Sequence, residues 1–147
     1  MRFASYFMCL FIFQQALANY SAPKIRKPAS VELVDSRMQS ILGYFDCFSK
    51  DNLFKLPKLK TCLSRFIDAD LPGSEKDRLA SWPVFNEVEI EKFFECPAEL
   101  LAKRKPFGLS TSLAYCARGK INENHKVVSF YFVVKDDSSV KIHSIFY

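Results

Sequence analysis

Residues 126–147 read KVVSFYFVVKDDSSVKIHSIFY, and this stretch decides the fold. Val128, Phe130, Phe132 and Val134 fall at alternate positions, as do Val140, Ile142 and Phe146, so each set lies on one face of a strand. β-Branched and aromatic residues dominate both runs, and Asp136, Asp137 and Ser138 suit the turn between them. A two-residue loop would set Val134 opposite Lys141, and the apolar faces would not meet. With Asp136 to Ser138 as the loop, Val134 faces Val140 and Phe132 faces Ile142, and Lys135 is kept from standing opposite Lys141. The same register makes Tyr131 and His143 cross-strand neighbours. The second face, with Tyr131, His143, Ile145 and Tyr147, is mixed, which suits partial cover or a binding surface.

Upstream, Leu109, Thr111, Leu113, Tyr115 and Ala117 alternate with smaller or polar residues and predict a third strand, which Gly119 and Asn122-Glu123-Asn124 connect to the hairpin. The N-terminal half reads as helical. Ser30 can cap a helix running to about Phe48, with Val34, Met38, Ile41, Phe45 and Phe48 as its apolar stripe. Asp35, Arg37, Gln39 and Ser40 lie off that stripe. Leu56 to about Asp70 is a second helix, with Pro57 in its first turn and Leu59, Leu63, Phe66 and Ile67 at helical spacing. Ser74 and Asp77 predict one or two further turns that Pro83 stops. Residues 84–95 are ambiguous: Glu87-Val88-Glu89-Ile90-Glu91 alternates like a strand, while Asn86 with Glu89 looks like a helix cap, and the stretch reads as helical or irregular, ending in an extended piece near Phe93-Phe94. Pro97 opens a short helix, Ala98 to Lys105, before Pro106-Phe107-Gly108. Helices packed on an antiparallel sheet that ends in a β-meander make an α+β fold.

The start of the chain bounds where such a fold works. Arg2, an apolar run through Phe13 and Ala16-Leu17-Ala18 fit a secretory signal peptide over residues 1–18. A membrane span needs about 20 apolar residues, more than this run supplies. Residues 19–29, with three prolines and Lys24, Arg26 and Lys27, read as an extended basic arm, leaving 30–147 as a single domain. Loss of Arg2 lowers the net charge from +5 to +4, which favours acidic surfaces as partners without pointing to nucleic acid. Asn19-Tyr20-Ser21 is a glycosylation sequon on the first residue of the expected mature chain.

Cys47, Cys62, Cys96 and Cys116 remain after cleavage, an even number that implies two disulfides in one of three connectivities. The local pairing, Cys47–Cys62 with Cys96–Cys116, is preferred. Metal binding needs close pairs such as C-x-x-C, and these are absent. No cofactor signature is present: the chain has four glycines, no phosphate-binding glycine loop and no G-x-S-x-G elbow. The basic residues Lys55, Lys58, Lys60 and Arg65 read as a solvated helix face, Glu87, Glu89 and Glu91 as an exposed acidic edge, and His125 as solvated in a turn.

Helices followed by long antiparallel strands, closed by Val140-Lys141-Ile142 where many members carry W-K-I, resemble the nuclear transport factor 2-like superfamily. That resemblance implies a curved sheet wrapped around an N-terminal helix as a cone. It also implies that a member could bind a small apolar ligand there, or act as an isomerase or dehydratase through Asp, His or Tyr; the matching candidates are His143, Tyr131, Tyr115 and Asp46. A cystatin-like fold is a neighbouring resemblance, although the Q-x-V-x-G inhibitory loop is missing. The expectation is therefore a secreted, disulfide-stabilised α+β module that binds a protein, a small apolar ligand or an acidic surface. The alternatives are a small pocket enzyme using His143 and Tyr131, or a basic effector binding acidic glycans or membranes through Lys24–Lys27 and Lys55–Arg65.

Overall fold

The computed structural model describes residues 20–26, 35–104, 109 and 113–147. Residues 1–18, Asn19 and Ser30 lie outside them, and with them the signal peptide, the sequon and the expected helix cap. The fold is α+β, with helices on a curled five-stranded mixed sheet and two disulfides, Cys47–Cys62 and Cys96–Cys116. Strands β1 (Lys24–Ile25), β2 (Val88–Phe94), β3 (Tyr115–Ile121), β4 (Asn124–Val134) and β5 (Val140–Phe146) lie in chain order across the sheet. β1 runs parallel to β2, and the other neighbours are antiparallel. Helices α1 (Ser36–Asp46), α2 (Lys50–Leu53), α3 (Leu56–Leu63) and α4 (Gly73–Phe85) precede β2, and α5 (Ala98–Arg104) follows it.

The outer part of the hairpin has the register that the alternation requires: Val134 pairs with Val140 and Phe132 with Ile142. Lys135 N–H donates to Ser139 O, and Ser138 takes φ 63°, closing the three-residue loop. A bulge then interrupts the pairing between Tyr131 and Phe132, so Tyr131 faces Ser144 and not His143. The meander has four strands rather than three. β3 continues through Gly119 to Ile121 and turns at Asn122 (φ 49°) and Glu123 (φ 66°), placing His125 on an exposed stretch of β4. Gly119 is required where β2 bulges: a Cβ there would sit 1.9 Å from Glu89 O.

β2 replaces the helical or irregular approach expected over 84–95. Val88 and Ile90 are buried, while Glu87, Glu89 and Glu91 are exposed as foreseen. Asn86 caps the end of the preceding helix, with Nδ2 donating to Trp82 O, and does not start a new one. That preceding helix, α4, runs through Pro83 instead of stopping at it. Pro83 has no N–H for the carbonyl of Leu79, four residues back. The hydroxyl of fully buried Tyr44 supplies the missing donor, at 2.6 Å from Leu79 O.

Helix α1 begins at Ser36, with Asp35 as its cap. Ile41, Tyr44, Phe45 and Phe48 fill the space over the sheet against Phe130, Phe132 and Ile142. Gly43 leaves room for the Phe66 ring. Arg37, expected off the apolar stripe, is nonetheless largely buried: it bridges Asp35 and Glu95, donates to Ala114 O at 2.9 Å and lies over the Tyr115 ring. Ser40 is also buried and donates to Val140 O.

α3 is shorter than expected. Beyond Leu63 the chain turns and Ile67 bridges Ile142, so Phe66 O accepts from Ile142 N and Asp68 N donates to Ile142 O. This covers the edge of β5. On the opposite side, residues 20–26 of the basic arm belong to the fold: Lys24 and Ile25 pair with Glu89 and Ile90. Tyr20 is buried, donates to Phe48 O at 2.9 Å, and has its pKa raised to about 12 by that burial.

Candidate functional site

His143 sits at the β5 bulge, half-buried, with Nδ1 3.2 Å from Asp68 Oδ2. Asp68 lies in the turn that covers the β5 edge, and its side chain is almost fully buried. Its other oxygen takes Lys135 Nζ at 2.5 Å and the Asp70 N–H at 3.1 Å, and Lys135 also bridges to Asp70. Burial opposes the charge on Asp68, but the hydrogen bonds from Lys135, from the Asp70 backbone and from His143 outweigh it and hold its pKa below the usual value. Asp68 is thus ionised at neutral pH, so His143 donates through Nδ1. Hydrogen bonds to Asp68 and Asp70 hold the Lys135 ammonium above its usual range.

This network borders an open recess of about 530 Å³, lined by His143, Ser144 and Phe146 on one wall and by Leu71, Glu75 and Arg78 on the other. A carboxylate–imidazole pair beside a nucleophile is the arrangement that activates serine. Here the Ser144 hydroxyl is sealed from solvent and makes no hydrogen bond among the described residues, so His143 does not engage it. Arg78 is occupied by Glu75 at 2.9 Å.

The other candidates do not assemble around His143. Tyr131 is fully buried, packs edge-on against Phe146, and has its pKa raised by burial. Tyr147 lies against Trp82, so the anticipated cluster of Tyr131, His143 and Tyr147 is not formed. Tyr115 is covered by Arg37, and Asp46 is exposed at the end of α1. No group of three or more His, Cys, Asp or Glu among the described residues could hold a metal ion. The four cysteines among the described residues are all paired.

A different feature stands out on the surface. Phe54 and Leu56 flank the joint between α2 and α3 and are 65% and 60% exposed. Lys50, Lys55, Lys58, Lys60 and Arg65 surround them in sequence, all exposed, the last four as the helix-face reading foresaw. The joint is fastened from below: the Cys47–Cys62 disulfide links the end of α1 to α3, and Asn52 Nδ2 donates to Cys47 O. Lys24, the other basic element considered, lies instead beside Glu87, Glu89 and Glu123 in a recess of mixed charge.

No family model, curated protein or solved structure matches this chain. No helix among the described residues is long and apolar enough to cross a membrane. Sequence reasoning missed Asp68 as the partner of His143, because the two lie 75 positions apart in the chain. It also passed over Phe54 and Leu56: Phe54 falls off the Leu59–Leu63–Ile67 stripe, which was the available signal, whereas Leu56 shares the face of that stripe and its exposure had none.

Proposed function

We propose that this is a secreted, disulfide-stabilised binding module that works through its surface and not through a catalytic centre. The observation that carries this reading is the exposed pair Phe54 and Leu56, held on a disulfide-fastened joint among five exposed cations. Exposed large side chains on a rigid support are suited to contact, because little ordering entropy remains to be lost on binding. The charged start and apolar run of residues 1–18 and the paired cysteines support export through an oxidising compartment. A helix lying on a curled sheet supports kinship with the nuclear transport factor 2-like superfamily. The side chains filling the space beneath α1 favour a surface over a cone as the point of contact.

The test is expression of the full chain in a secretory host. Mass spectrometry of the medium is expected to find a chain beginning at Asn19 with both disulfides formed, and the labelled protein to bind intact cells. Phe54→Ser with Leu56→Ser is expected to weaken that binding about a hundredfold, the effect of removing two buried apolar contacts. Free thiols in the exported protein, or undiminished binding by the double variant, would sink the reading.

A further inference from the structure

We propose that the joint over residues 50–65 docks onto anionic phospholipid surfaces, with Phe54 and Leu56 entering the headgroup layer and the surrounding cations pairing with lipid phosphates. This rests on the binding-module reading and names its partner.

Two independent properties point the same way. The first is apolar exposure at a fixed tip: Phe54 ends α2, Leu56 opens α3, and Lys55 stands between them. The second is charge. Over residues 50–65 there are five cations, Lys50, Lys55, Lys58, Lys60 and Arg65, against the single acid Asp51, a net +4. None of the five is taken into an ion pair among the described residues. Lys58 and Arg65 also line an open recess of about 430 Å³ with Asn52, Thr61 and Cys62, which offers a phosphate two cations.

An apolar tip with a basic collar matches an interface whose headgroups are anionic and whose next layer is apolar. An acidic glycan would use the cations and leave Phe54 and Leu56 in water. A folded protein partner needs about 800 Å² of complementary surface with an apolar centre, more than two side chains ringed by unpaired lysines provide. Phe85 makes the contrast within the same molecule. It is 81% exposed, yet its neighbours in the chain are Asn86, Glu87 and Glu89, so it lacks the collar.

The experiment is co-sedimentation of the secreted protein with vesicles of phosphatidylcholine, with and without phosphatidylserine. Binding is expected only to the anionic vesicles and is expected to weaken as salt is raised. Each of Lys55→Gln and Lys58→Gln should lower the partition about fivefold. Phe54→Ser should lower it about tenfold. Phe85→Ser should leave it unchanged, and circular dichroism should show every variant folded. Equal binding to neutral vesicles, an effect of Phe85→Ser as large as that of Phe54→Ser, or retention on heparin without vesicle binding would each overturn the inference. Cell binding that still depends on Phe54 and Leu56, with no affinity for either vesicle, would reject the lipid partner and leave the binding module standing.

Discussion

Replacing Tyr44 by Phe removes one oxygen atom, and its consequence is set by a proline on a different helix. Tyr44 and Leu79 are both fully buried, so no solvent can take the place of the hydroxyl on Leu79 O. In an uninterrupted helix that carbonyl would receive the N–H of residue 83, which Pro83 lacks. Tyr44→Phe therefore leaves a buried acceptor orphaned, at a cost of about 2 kcal/mol. For a domain of this size that corresponds to a fall in Tm of roughly 6–10 °C. The decisive measurement is a double-mutant cycle with Pro83→Ala, read by urea unfolding followed by circular dichroism. Alanine restores the N–H, so Tyr44→Phe in that background should cost only about 0.5 kcal/mol, a coupling of about 1.5 kcal/mol. The stability of Pro83→Ala alone combines regained helix propensity with lost packing, and the cycle cancels both. If Tyr44→Phe cost the same in both backgrounds, the hydroxyl would not be standing in for the missing N–H.

Gly119→Ala should destabilise the fold by about 1–3 kcal/mol in the same unfolding assay, since its Cβ meets backbone at Glu89 and the strands must part; a neutral result would contradict the β2–β3 register. Asp68→Asn should lower stability at neutral pH, because the folded state holds the Asp68 pKa below its unfolded value. A depressed carboxylate contributes above its unfolded pKa, so the gap between wild type and variant should be full above about pH 4 and close as pH falls through the folded pKa. A gap independent of pH would show that the charge on Asp68 is not what matters.

Much of this molecule is written locally. Alternation in Val128–Val134 and Val140–Phe146, with three polar residues between, was enough for the hairpin and the register of its outer half. Pairing identity follows directly from period and loop length. The cysteines, the basic face of Lys55–Arg65 and the exposed glutamates of β2 were equally legible, since each depends only on residue type and spacing. Residues 84–95 were not. The signals of Asn86 and Glu89 for a helix start competed with the alternation of Val88 and Ile90, and what resolved them was the free edge of β3 awaiting a partner.

The remainder depended on contacts between distant residues. The hairpin alternation put Tyr131 opposite His143; one bulged residue moved Tyr131 against Ser144 and left His143 for Asp68, 75 positions away. Pro83 read as a stop because its missing N–H normally ends a helix, and Tyr44, 35 residues before Leu79, removed that penalty. The basic arm read as a leader because nothing adjacent to it is apolar enough to hold it; β2 and Phe48 supply its partners from elsewhere in the chain. Period, charge and cysteine count are properties of neighbours, so the sequence by itself determined the class of fold, the number of its disulfides and its basic surface. Whether a buried polar group is satisfied depends on what the chain brings to it from far away. For that reason the tertiary structure alone decided that His143 and Tyr131 part company, and that Phe54 and Leu56 stay in the open.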